Sequence, residues 1–163
     1  MKRALKHLFT PDWLAHRAFP RSTLARIEAA IRESERSHEG EVRFAVEGAL
    51  HIAQLLRGVS ARQRAHEVFS QLRVWDTEHN SGVLIYIQLV EGRIEIVADR
   101  GIAAKVGQGE WDAVCRTMEA AFRARRFEEG SIVGIREVTA LLRRHFPPRG
   151  ANPDELPNRP ALL

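Results

Sequence analysis

The residues with the strongest chemical potential are acidic and fall in three stretches. The first is Glu41, and the second is the run Asp76-Thr77-Glu78-His79-Asn80-Ser81-Gly82. The third is Asp99-Arg100-Gly101, followed by Glu110 and Asp112 beside Gly107 and Gly109. Carboxylates gathered with an Asn amide and backbone carbonyls suit a hard divalent cation, Ca2+ or Mg2+. Glu41, Asp76, Asn80, Asp99 and Asp112 are therefore candidate metal ligands. Arg100, at the start of a helix, is a candidate anion contact. The same residue types also serve turns and helix caps, so both readings stand at this level.

These stretches meet only if the chain runs in particular directions. Glu41 to Glu47 alternates, with Val42, Phe44 and Val46 on one side, as in a strand. Gly82 to Leu89 is apolar on both faces, the pattern of a central strand covered by helices. Arg93 to Ala98 follows after a tight turn at Glu91-Gly92. Four amphipathic helices surround them. The first is capped by Ser22 or Thr23 and carries Leu24, Ile27 and Ile31. The second opens with a capping box at Ser60 and Gln63. The third presents Trp111, Val114, Cys115, Met118 and Phe122. The fourth runs from Gly130 to Phe146. Ala49 to Leu56 fits helix or strand equally. A helix between the first two strands makes them a parallel, right-handed crossover, and the third returns antiparallel. The expected fold is α/β: a small mixed sheet flanked by helices, an α/β/α sandwich. Glu41, the 76–82 loop and Asp99 then share one sheet edge.

Other chemistries find little footing. There is no HExxH, Walker loop, GxSxG or CxxC. Cys115 sits on an apolar helix stripe, the setting of a structural thiol. His51, His66 and His79 share no ligand spacing. Of the 25 basic residues 22 are Arg, interspersed with acids, and the densest runs fall at predicted helix C-termini. That distribution makes nucleic acid an unexpected partner. The 163 residues suit one domain. Its expected parts are an arm over 1–20 with anchors such as Leu5, Leu8, Phe9 and Trp13, a body over 21–147 and a Pro-rich irregular tail over 148–163. No apolar run reaches the length of a membrane helix, so no membrane insertion is expected. The single cysteine suits a reducing, cytoplasmic setting.

The run Thr77-Glu78-His79-Asn80-Ser81-Gly82-Val83-Leu84-Ile85-Tyr86-Ile87, then Glu95-Ile96-Val97-Ala98-Asp99-Arg100-Gly101-Ile102 and Trp111, resembles the bacterial TPM-domain family. Gly40-Glu41-Val42, Phe122 to Phe127, Gly130 and His145-Phe146-Pro147 extend the likeness over residues 21 to 147. The resemblance implies an α/β sandwich with a polar site at one sheet edge, to which Glu41, Asn80 and Asp99 correspond. It implies calcium binding, acid phosphatase activity as in chloroplast relatives, or a role in membrane-protein maintenance or assembly. A Gly-rich segment common in the family reads Asp99-Arg100-Gly101-Ile102 here. The expected function is an accessory domain that binds a protein partner, itself membrane-associated, with help from a divalent cation. The alternatives are a metal-assisted acid phosphatase and nucleic-acid binding through arginine.

Overall fold

The protein is described by a computed structural model over residues 2–11, 13–150 and 153–163, the side chains of Lys2 and Leu5 excepted. The arm anchor expected at Leu5 therefore lies outside the described residues. The arm forms two short helices, α1 (Lys2–Leu8) and α2 (Trp13–Ala18). The body runs α3 (Arg21–Glu35), β1 (Glu41–Glu47), α4 (Ile52–Leu56), α5 (Ala61–Gln71), β2 (Gly82–Gln88) and β3 (Arg93–Ala98). It continues through α6 (Arg100–Ala103), α7 (Gln108–Arg123) and α8 (Phe127–His145), and the chain ends in β4 (Ala161–Leu162).

The sheet order is β3-β2-β1-β4. β1 and β2 are parallel with Glu41 opposite Gly82, and β3 returns antiparallel with Ala98 opposite Val83. The tail supplies β4, parallel to β1 with Leu162 opposite Val46. Alternation along β1 divides two cores. Val42, Phe44 and Val46 pack with Ile27 and Ile31 of α3, Trp111 and Met118 of α7, and Val138 and Leu142 of α8. On the other face Ala45, Leu84 and Tyr86 meet Ala65 and Val68 of α5 and Leu156 of the tail. Both faces of β2 are covered, so every residue from Gly82 to Gln88 is buried. Each large aliphatic side chain so buried contributes about 1.5–3 kcal/mol.

Several element boundaries have local causes. Pro20, in extended conformation, is the N-cap of α3, and its carbonyl accepts from Leu24 N at 3.0 Å. The Thr23 hydroxyl, expected as a cap, instead donates to Glu128 of α8 at 2.8 Å. The Ser60–Gln63 capping box of α5 is present as expected. α8 starts at Phe127, earlier than expected, because Glu128 and Glu129 suit the positive end of its dipole. Within the ambiguous 49–56 stretch, Ile52–Leu56 forms α4, with the His51 amide donating to Gln54 Oε1 at 3.0 Å. Gly82 has no alternative: a Cβ there would lie 1.9 Å from the Val74 carbonyl oxygen.

Candidate functional site

The backbone brings the sheet edge together as chain direction requires. Glu41 N donates to Ser81 O at 3.0 Å, Asp99 N to Gly82 O at 2.8 Å, and Gly101 N to Asn80 O at 3.1 Å. The side chains then diverge. Asp99 Oδ1 accepts from Arg100 N at 2.7 Å and caps α6, while its Oδ2 is buried with no partner among the described residues. The Arg100 guanidinium reaches Asn80 Oδ1 at 3.4 Å. Asn80 itself has a φ of 52°, the left-handed turn geometry that Asn tolerates. Asp76 pairs with Arg73 at 2.9 Å, and Asp112 accepts from Gln108 at 2.9 Å; both carboxylates are exposed. Glu110 accepts from Gly107 N at 3.1 Å, a capping role.

Glu41 turns instead toward α3 and the tail. There Glu35, Glu41 and Asp154 bring carboxylate oxygens within 4.8 Å of one another, the one such group of acidic, His or Cys ligands among the described residues. Glu35 Oε1 accepts from Val42 N at 2.8 Å, and Glu41 Oε2 accepts from Leu156 N at 3.1 Å. Asn158 donates to Asp154 Oδ1 at 3.2 Å. Glu41 Oε1 and Asn158 Oδ1 are buried and have no hydrogen-bond partner among the described residues. A cavity of about 350 Å³ opens on Glu35, Glu41, Asp154 and Asn158. Arg43, next but one along β1, holds the tail through the carbonyls of Pro157 and Arg159.

Electrostatics single this cluster out. Burial pushes Glu35 up to about 8, with repulsion from Glu41 and Asp154 adding and the Val42 amide opposing. Burial likewise pushes Glu41 up to about 7, again with Asp154 adding. Burial lowers the pKa of Arg43, beside them. The possible ligands are all oxygen, two of the acids are buried, and two buried oxygens have no hydrogen-bond partner among the described residues. Such a set can hold a hard metal ion, which would replace the missing donors and relieve the repulsion.

Two other places carry less. A groove of about 1100 Å³ at the far end of the sheet is lined by Trp13, Arg17, Leu89 and Phe127. Its acids are paired, Glu119 with Arg93 and Arg123, Glu128 with Arg26, Glu129 with Arg126. Ser34 Oγ lies 2.8 Å from His38 Nε2, superficially a nucleophile and base. The Gly40 amide donates to His38 Nδ1, however, so the neutral ring carries its proton on Nε2 and donates to Ser34. That ring is fully buried, and burial lowers it to about 4. The pair is structural. Cys115 is too, its thiol pushed up to about 12 by burial with Glu95, Glu119 and Asp112 adding.

Sequence reasoning placed Glu41 at the edge but missed Glu35 and Asp154. Glu35 carried a signal: it follows Ile27 and Ile31 at four-residue steps, so it continues their buried stripe. Asp154 had none beyond its four-residue spacing to Asn158.

The sequence profile of the TPM domain matches residues 16–141. The chain belongs to the TPM-domain family. Its fold is similar to the solution structure of the BA42 protein from the psychrophilic bacterium Bizionia argentinensis, with a TM-score of 0.76 and 29% identity. That likeness covers 87% of this chain and 93% of BA42. The N-terminal domain of a P. gingivalis protein has a TM-score of 0.60 at 17% identity, over 86% of this chain and 95% of that one. The N-terminal domain of the cg2496 protein from Corynebacterium glutamicum has 0.55 at 12%, over 75% and 72%. Those last two establish the fold alone. No curated protein matches the chain. In this TPM domain, as expected, the mixed sheet is flanked by helices, and no helix among the described residues is long and apolar enough to cross a membrane.

Proposed function

We propose that this TPM domain is a cation-responsive accessory module. A divalent cation binds Glu35, Glu41, Asp154 and the Asn158 carbonyl, joining the 148–163 tail to the start of β1. The ordered edge then serves a protein partner engaged in maintaining membrane proteins or their complexes. The observation that carries the reading is Glu41 Oε1, a buried carboxylate oxygen with no hydrogen-bond partner among the described residues, in a cluster with the carboxyl groups of Glu35 and Asp154. Calcium fits better than magnesium: three carboxylates on a helix, a strand and an irregular tail favour a large, geometrically tolerant ion. Magnesium holds its waters and usually takes one or two carboxylates.

A calcium titration followed by residue-resolved NMR tests this. Shifts are expected at residues 35, 41–43 and 154–158. Glu41→Gln is expected to weaken binding at least about tenfold, the scale of one charged ligand lost, while Asp76→Asn and Asp112→Asn leave it unchanged. Shifts confined to 76–82 and 99–112 would move the site to the Asp99 side of the edge. Calcium-dependent hydrolysis of a generic phosphoester, abolished by Asp99→Asn, would replace this reading with the phosphatase. No shift at all ends the cation proposal.

A further inference from the structure

Five of the largest exposed apolar side chains gather on three short helices. Leu8 (66% exposed) ends α1 and Phe9 (77%) follows it in the turn, Trp13 (55%) opens α2, and Ile52 and Leu56 (82%) belong to α4. α1 packs against α4. This is no frayed end. Arg3 pairs with Glu91 at 2.7 Å and donates to the Val59 carbonyl at 2.6 Å. His7 is buried, accepting from Leu50 N at 2.9 Å and contacting Glu91 at 3.0 Å. Exposed apolar groups on anchored elements mark a contact surface.

Charge says what the surface contacts. Positions 1–27 contain one acid, Asp12, which lies outside the described residues, and positions 48–66 contain none. Lys6, Arg17 and Arg57 are exposed and make no ion pair among the described residues. Arg17 lies over the Trp13 ring at 5.8 Å. Glu91, the acid beside α1, is already engaged by Arg3 and His7. Arg26, Arg32, Arg36, Arg73 and Arg126, by contrast, each pair with a nearby carboxylate. Exposed Leu, Ile, Phe and Trp on short helices that also carry cations without an ion pair among the described residues is the composition that seats at the headgroup level of an anionic bilayer. We infer that α1, α2 and α4 form a peripheral docking face for an anionic lipid surface. This face follows the end of β1, whose seven residues place it about 20 Å from the Glu41 end. The cation cluster therefore points away from the lipid, and the two proposals stand independently.

The test is co-sedimentation of the full chain in EDTA with vesicles of phosphatidylcholine, with and without phosphatidylglycerol. The protein is expected to partition at least about tenfold better onto the anionic vesicles and to be released by salt. Lys6→Glu with Arg57→Glu is expected to weaken partition roughly fivefold or more for each cation removed. Phe9→Ser with Leu56→Ser is expected to weaken it at least about tenfold. Both substituted side chains are solvent-exposed, so an unchanged melting temperature confirms the fold. Equal binding to neutral vesicles, binding to neither, or no effect of the substitutions overturns the inference. So does a vesicle-free dimer abolished by Phe9→Ser with Leu56→Ser, which would make a second copy the occupant.

Discussion

Raising pH without a cation should destabilise this protein, and the reason lies in two carboxyl groups. Glu35 and Glu41 are pushed from 4.5 to about 8 and about 7, so the native state holds protons that the unfolded chain has released. Their contribution to stability is complete below about 4.5 and is lost as pH rises toward 8. His38 acts the opposite way, since burial lowers it from 6.5 to about 4 and its contribution is lost as pH falls through that interval. At pH 6.5 the unfolded His38 is half protonated, so between pH 6.5 and 8 its contribution grows by only about 0.4 kcal/mol and offsets a small part of the carboxyls' loss. Between pH 6.5 and 8, Glu35 withdraws roughly 2 kcal/mol and Glu41 somewhat under 1, at about 1.4 kcal/mol per unit. For a domain of this size each kcal/mol moves Tm by roughly 2–4 °C, so a fall of roughly 5–10 °C is expected. Thermal denaturation in EDTA at those two pH values measures it. Calcium should restore most of the loss at pH 8 and do less at pH 6.5, where protons compete for the same oxygens. Glu41→Gln should remove only the smaller, Glu41 share of the pH effect and leave most of Glu35's, while flattening the calcium effect. A melting temperature that is level or rises from pH 6.5 to 8 in EDTA refutes the electrostatic reading of the cluster. A calcium shift of equal size in Glu41→Gln refutes its assignment as a ligand.

Arg64→Met should cost about 3–5 kcal/mol, because Glu47 would remain charged and buried without its bidentate partner at 2.8–3.1 Å. Tyr86→Phe should cost less, about 1–3 kcal/mol, since Glu47 loses only the Tyr86 hydroxyl; urea denaturation ranks the two. Gly82→Ala should cost about 3 kcal/mol or abolish folding, because its Cβ would meet the Val74 carbonyl at 1.9 Å. A Gly82→Ala protein with unchanged stability would show that this crossing is looser than the structure has it.

The backbone topology was legible because each step had a local cause. Apolar residues on both faces marked β2 as central, the Ser60 capping box placed α5 between β1 and β2, and Glu91-Gly92 turned the chain back. Those three features oblige the acidic loops to share an edge, and the backbone bonds joining Glu41, Ser81, Gly82 and Asp99 meet that requirement. Side-chain direction was less legible. Asp99 and Asp112 have helix partners close in sequence that compete for them, an α6 amide and Gln108. Local hydrogen bonds of this kind form at little entropic cost. β4 was hidden for a different reason. Its two residues lie in a stretch with Pro153, Pro157 and Pro160, where no strand period exists to be read.

The polar row of β1 explains why Glu41 stands apart. Odd positions face the second core, and three of them are ionisable: Glu41, Arg43 and Glu47, all buried. Burying an ion is costly unless it is paired and hydrogen-bonded. Glu47 receives Arg64 from α5 and the Tyr86 hydroxyl from β2. Arg43 receives two tail carbonyls. Glu41 receives only backbone amides of the tail, chiefly Leu156, and has Glu35 and Asp154 as neighbours. The tail thus satisfies one charge of the row and brings a further negative charge to another. A segment selected only to cover the edge of β1 would bring no carboxylate there. Its Asp154 and Asn158 oxygens have a physical purpose if a cation completes the set, and the same ion would then hold the tail in place.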